Sequence, residues 1–277
     1  MKKKVWLITG CSSGFGRAIA LAALKAGDLV GVGARKFEDV KDILDEYPDT
    51  ALALKLDVTE PSQVKTAVAD LADHFGKIDV LVNNAGVGYF GSIEESNEEE
   101  VRRMFEINFW GLSNVTREVL PLLRKQRSGH IINIASIGGL TSFPALGYYH
   151  ATKYAVDGFS ETLYKELSSL GIHVTIVAPG AFRTDWAGRS ANEAPVQIAD
   201  YAASAGALRE WLRGVNGQQP GDPARAADAI LKVVNVANPP LRLLLGVDAV
   251  EGAYEKLNVL KTDFDEWRSV SEDVNFV

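Results

Sequence analysis

The chain has 277 residues and a formal net charge of −7, from 29 Lys and Arg against 36 Asp and Glu. At 47% hydrophobic and 23% charged it is too apolar for a disordered chain, and its acidic balance lacks the footprint of non-specific nucleic-acid or anionic-membrane binding. A single cysteine, Cys11, excludes an internal disulfide and a thiolate metal cluster, so composition points to one large domain over 1–277, cytoplasmic in type, with no metal site.

Lys2, Lys3 and Lys4 precede the apolar run Val5–Thr9. That run is shorter than the about 7–15 residues of a signal-peptide core, so it reads as a buried first strand. Similar β-branched runs recur at Leu29–Ala34, Ala51–Leu56, Val80–Asn83, His130–Ala135, His173–Ala178 and Leu241–Leu245. Helical spacing fills the intervals at Gly14–Ala26, Pro61–Phe75, Glu98–Lys125 and Tyr148–Leu170. No stretch approaches the about 18 apolar residues of a membrane span. Alternation of nearly continuous apolar strands with helices predicts an α/β fold: a doubly wound parallel sheet of about seven strands, helices on both faces.

After the first run comes Thr9-Gly10-Cys11-Ser12-Ser13-Gly14-Phe15-Gly16, opening directly into a helix. Glycines allow close backbone approach to a pyrophosphate, and the helix N-terminus offers free N–H groups and a positive dipole. A dinucleotide site is therefore expected at Gly10, Ser12, Ser13, Gly14, Phe15 and Gly16. A dinucleotide site selective for NAD carries Asp or Glu about 20 residues further on. Here Arg35 stands 19 positions after Gly16. Its guanidinium suits a 2′-phosphate, so NADP(H) is expected over NAD(H); the structural alternative is a solvated surface arginine.

Ser136 closes the fifth run before Gly138-Gly139, and Tyr149 lies 13 positions later with Lys153 one helical turn beyond it. A cation about 4 Å from the phenol is worth about 4 kcal/mol at an effective dielectric near 20. That lowers a Tyr pKa by up to about 3 units, toward the range of a general acid–base. A hydroxyl at Ser136 is placed to hydrogen-bond a substrate oxygen as charge develops on it. Taken alone, the Tyr-x-x-x-Lys spacing also fits a half-buried Tyr beside a snorkelling Lys. Beyond the sixth run, the strand pattern lapses over 184–222, which reads as a substrate lid. A helix over Val247–Trp267 begins a C-terminal extension, 247–277.

With these residues in order, the chain resembles the short-chain dehydrogenase/reductase family over nearly its whole length. Thr9–Gly16, Asp57-Val58, Asn83-Asn84-Ala85-Gly86, the Ser136/Tyr149/Lys153 set, and Pro179-Gly180 followed by Thr184 all recur in family order. The resemblance implies a Rossmann-type single domain that transfers hydride between a nicotinamide and a carbonyl or secondary alcohol. Tyr149 is then the general acid–base; Lys153 tunes it and binds the nicotinamide ribose. Asp57 and Val58 contact the adenine; Asn84, Ala85 and Gly86 line the middle of the cofactor; Pro179, Gly180, Phe182 and Thr184 hold its nicotinamide end. Asn108 matches a helix asparagine that links the lysine to a relay water. The family also implies a homodimer or homotetramer through the long helices Glu98–Lys125 and Tyr148–Leu170.

Thr184-Asp185-Trp186 is similar to the 17β-hydroxysteroid and retinol dehydrogenase branch. A mid-sized hydrophobic carbonyl compound or alcohol is expected against Phe90, Leu140, Phe143, Tyr148 and Trp186, each of which also fits ordinary core packing. A non-catalytic NADP(H)-binding sensor on the same fold is the alternative, although such proteins usually lose the Tyr–Lys pair.

Overall fold

A computed structural model describes residues 3–276; Lys2 of the basic N-terminal run lies outside them. The first half comprises β1 (Val5–Ile8), α1 (Gly14–Lys25), β2 (Leu29–Ala34), α2 (Lys41–Glu46), β3 (Ala51–Lys55), α3 (Pro61–Phe75) and β4 (Val80–Asn83). Next come β5 (Gly88–Phe90), α4 (Glu98–Phe105), α5 (Leu112–Gln126), β6 (Gly129–Ile134), α6 (Gly147–Leu167) and β7 (Ile172–Pro179). The chain continues through β8 (Ala191–Glu193), α7 (Ala207–Gly214), α8 (Pro223–Val234), β9 (Arg242–Leu245), α9 (Val247–Glu266) and α10 (Arg268–Glu272).

All seven expected runs enter one sheet of order β3-β2-β1-β4-β6-β7-β9, and every pairing is parallel. Strand side chains alternate between faces, which divides the core in two. Trp6 and Ile8 point toward α1 and α8, joining Val30, Val32, Ile19 and Ile230. Val5 and Leu7 point toward α3, α5 and α6, joining Leu71, Val119 and Leu163. Burial on both faces explains why the strands read as unbroken apolar runs. The chain is a Rossmann-like single domain, and its strand order reverses between β1 and β4, where open α/β sheets form a crevice.

Three local features depart from the sequence reading. The helix predicted over Glu98–Lys125 is divided by a π-helical turn, Glu106–Gly111. There the chain crowds the loop after β3: a Cβ on Gly111 would lie 2.4 Å from Val58 Cγ2. The 184–222 segment is not without strands: β8 pairs with β5 in a separate two-stranded sheet. Three residues are too few for an alternation to show. Finally, α8 starts at the end of that segment, where Asp222 caps it by accepting from Ala224 N at 2.8 Å with Pro223 in the first turn, a start signal present in the sequence but unread.

Candidate active site

The carboxyl ends of β1, β2, β4, β6 and β7 converge on a single cleft of about 940 Å³, within the usual size range of ligand pockets. Its floor is the turn from β1 into α1. Gly10 takes φ +72°, a region open to glycine at little strain. A Cβ on Gly16 would lie 2.4 Å from both Gly10 O and Asn84 Nδ2, so only glycine lets α1 start this close beneath the loop. Ser13 caps α1 without a side-chain hydrogen bond, leaving first-turn N–H groups for an anion. The loop after β4 is fastened from below by Thr9, whose Oγ1 accepts from Asn84 N and Ala85 N, both at 2.9 Å. Asn84 Nδ2 in turn donates to Thr9 O at 2.9 Å.

Ser136 extends from the end of β6, and its Oγ accepts from Gly138 N at 3.0 Å. Tyr149 and Lys153 face the same cleft from α6. Lys153 Nζ donates to Ile134 O at 2.9 Å and lies 5.7 Å from the centre of the Tyr149 ring. Thr152 Oγ1 donates to Tyr149 O at 2.7 Å and accepts from Asn108 Nδ2 at 3.2 Å. Asn108 is buried within the π-helical turn and outside the cleft wall. Its Oδ1 accepts from Val87 N at 2.8 Å and its Nδ2 donates to Val87 O at 2.9 Å, so it joins the loop after β4 to α6.

The electrostatics differ from the simple ion–phenol estimate. Burial pushes the Tyr149 phenol up to about 12, the adjacent Ser136 hydroxyl pulling the other way. Burial pushes Lys153 down to about 8. Each group therefore resists its charged form because the wall excludes water. The lysine is held by a backbone carbonyl, and the expected lowering of the phenol does not outweigh desolvation.

Of the expected cofactor residues, Gly10, Ser12, Ser13, Gly14, Phe15, Arg35, Asp57, Val58, Asn84, Ala85, Gly86, Tyr149, Lys153, Pro179, Gly180, Phe182 and Thr184 border the cleft, with Gly16 packed beneath. The free helix N-terminus, the glycine cradle and the elongated volume together fit a dinucleotide.

Of the five expected substrate contacts, only Trp186 borders it. Phe90 is fully buried, its ring centre 5.3 Å from that of Trp186 and under the Arg213 guanidinium. Phe143 is turned out against His150, and its N–H donates to His150 Nδ1 at 3.3 Å. Tyr148 packs with Tyr89 and Met104, and Leu140 lies beyond the turn after Ser136, outside the wall. Instead Tyr89, Met104, Trp211, Leu212 and Val215 line that end. Trp211 and Leu212 come from α7 and Val215 follows its end, inside the segment that the sequence showed only as a lapse in the strand pattern.

The 184–222 segment lines this end, and specific bonds brace it internally and tie it to the body. Arg213 Nη1 donates to Ala187 O at 2.9 Å and Gly188 O at 2.7 Å, and its Nη2 to Ala191 O at 3.0 Å. Glu95 accepts from Ile198 N at 2.7 Å. Among the described residues, no cluster of three or more His, Cys, Asp or Glu side chains is arranged to hold a metal ion, and no helix is long and apolar enough to cross a membrane.

Residues 4–195 match the family model for short chain dehydrogenases, and the chain belongs to that family. It is 41% identical over 269 residues to the oxidoreductase BOA17 of Botryotinia fuckeliana, covering 97% of this chain and 98% of that one. A short-chain dehydrogenase structure from Streptomyces avermitilis superposes with a TM-score of 0.93, at 43% identity and 99% coverage of both chains. A Burkholderia phymatum family member in complex with NAD gives 0.81, at 27% identity over 94% of this chain and 95% of that one. A Thermococcus sibiricus alcohol dehydrogenase complexed with 5-hydroxy-NADP gives 0.73, at 26% identity over 88% and 96%. Structural neighbours thus bind NAD or NADP, and the chain is a nicotinamide-dependent oxidoreductase in class.

Proposed function

We propose that the protein is an NADP(H)-preferring oxidoreductase that interconverts a ketone or aldehyde and an alcohol, acting on mid-sized hydrophobic compounds. The observation that carries this reading is the convergence of Ser136, Tyr149 and Lys153 on the cleft that also holds the glycine turn. When bound, the nicotinamide supplies the hydride chemistry. Ser136 and Tyr149 hold the substrate oxygen. Tyr149, held protonated at neutral pH by burial, gives its proton to that oxygen during reduction and takes it back during oxidation. Lys153, whose proton is retained at neutral pH, offsets negative charge on the phenol oxygen. Asn108 positions α6 against the loop after β4.

The preference for NADP(H) rests on Arg35, which borders the cleft beyond β2 where an NAD site has a carboxylate. The hydrophobic substrate class rests on Trp186, Trp211, Leu212 and Val215, and the lid role of 184–222 on its place along the cleft wall. Association through the α4–α5 and α6 faces remains the family expectation.

The experiment is NADPH and NADH oxidation against aromatic ketones, quinones, steroid ketones and aliphatic aldehydes, with the native chain and Arg35→Ala. A charge-assisted contact of about 1.5–3 kcal/mol corresponds to a rise in KM for NADPH of about tenfold to a hundredfold. KM for NADH should stay unchanged. Equal loss with both cofactors contradicts the assignment of Arg35.

A further inference from the structure

Only Ala249 and Ala253 of α9 are buried; beyond them the helix leaves the body. Gly252 still lies against Ile137, whereas every described residue from 261 to 276 is exposed. Beyond the buried Ala253, the residues Leu257, Leu260, Phe264 and Trp267 recur at spacings of three, four and three, the seam of a two-helix pair. Leu257 is 60%, Phe264 68% and Trp267 64% exposed. Phe264 and Trp267 alone offer roughly 300 Å². With Leu257, Leu260 and the flanking Tyr254 the stripe is on the order of 600 Å², approaching the about 800 Å² per partner of a stable interface and at the upper end of the apolar patches that monomers expose.

We propose that this stripe is covered by the same stripe of a second copy of the chain, the two α9 helices running antiparallel about Thr262. Charge decides the occupant and the direction. Over 254–261, Lys256 and Lys261 against Glu255 leave one positive charge; over 263–270, Arg268 against Asp263, Asp265 and Glu266 leaves two negative charges. Antiparallel pairing sets the first segment of each copy against the second of the other, whereas parallel pairing sets acid on acid. The excess negative charge also disfavours an anionic lipid surface. In this register Leu257 faces the partner's Trp267 and Leu260 the partner's Phe264, each contact occurring twice about the two-fold axis. This interface is separate from the α4–α5 and α6 faces, and independent of the proposed activity.

The test combines light scattering with cysteine cross-linking on the full chain. Phe264→Asp should halve the molar mass in solution while leaving the far-ultraviolet circular dichroism unchanged. Under mild oxidation, the double variant Leu257→Cys with Trp267→Cys should form a disulfide-linked dimer. Within one helix these positions are about 15 Å apart and do not bond to each other, and Cys11 is buried. Leu257→Cys alone should not cross-link. Three results overturn the proposal: an unchanged mass in Phe264→Asp, a cross-link in the single variant, and a monomeric native chain that floats with phosphatidylcholine vesicles.

Discussion

At the scale of single residues, burial sets the chemistry of the site more than neighbouring charge does. Tyr149 and Lys153 are both pushed toward their neutral forms by desolvation, so burial opposes a phenolate–ammonium ion pair. The same physics acts at the opposite end of the sheet on His130. Burial first, then His173 and Lys4, push it down to about 3, and its Nε2 lies 2.9 Å from Thr175 Oγ1. The unfolded chain protonates this histidine below about 6.5 while the folded chain does not, so stability falls as pH falls from about 6.5 toward 3. Urea unfolding should show the native chain losing about 2 kcal/mol through this group between pH 7 and pH 5. His130→Asn should show a correspondingly smaller loss over the same interval; an equal loss in both proteins would refute this assignment. The grouping of Ser136, Tyr149 and Lys153 on one cleft was legible because it survives as spacing. Thr9 was not legible as the clasp of the loop after β4, because that contact joins positions 75 and 76 apart in sequence. Phe90 was misjudged because an aromatic at a strand end reads alike whether it faces the cleft or the core.

At the scale of elements, the central strands were readable because they are buried on both faces, and the limits of all seven fall within about two residues of the apolar runs. The π-helical turn was not readable: it arises from the approach of Gly111 to Val58 and the Asn108 bonds to Val87, neither of which alters the helical spacing. β5 and β8 escaped notice because each is three residues long and defined only by its partner. α9 has a second role at its first turn, where Asp248 Oδ2 accepts from Ala181 N at 2.6 Å. A Cβ on Gly180 would collide with this carboxylate at 2.2 Å, so helix and cofactor loop are fitted to each other. Under the proposed function, Asp248→Ala frees that loop and should raise KM for NADPH by up to about tenfold, with kcat nearly unchanged. Asp248→Asn should recover part of the loss. An unchanged KM in the alanine variant would leave Asp248 with no positioning role.

For the whole molecule, a net charge of −7 sits beside a cleft fitted to a polyanion. Under the proposed function, binding relies on local groups: the free N–H groups of α1, the loop amides after β1, and Arg35. The seven-stranded sheet brings these groups to one side because every strand ends at the same edge and the order reverses beside β1. The 184–222 segment lines one end of the cleft, braced internally by Arg213 and tied to the body by Glu95. That wall was legible only as a gap in the strand pattern, since its ties to the body, Ile198 N to Glu95 and Tyr201 Oη to Glu94, join positions 103 and 107 apart in sequence.

The central claim is that Tyr149 moves the proton that accompanies hydride transfer. The direct measurement is NADPH oxidation by Tyr149→Phe with the carbonyl compound that the native chain reduces fastest, beside NADPH binding followed by fluorescence. The account predicts binding within about twofold of the native chain and turnover lower by about 10²–10⁴-fold. Turnover near the native rate with binding intact would contradict it.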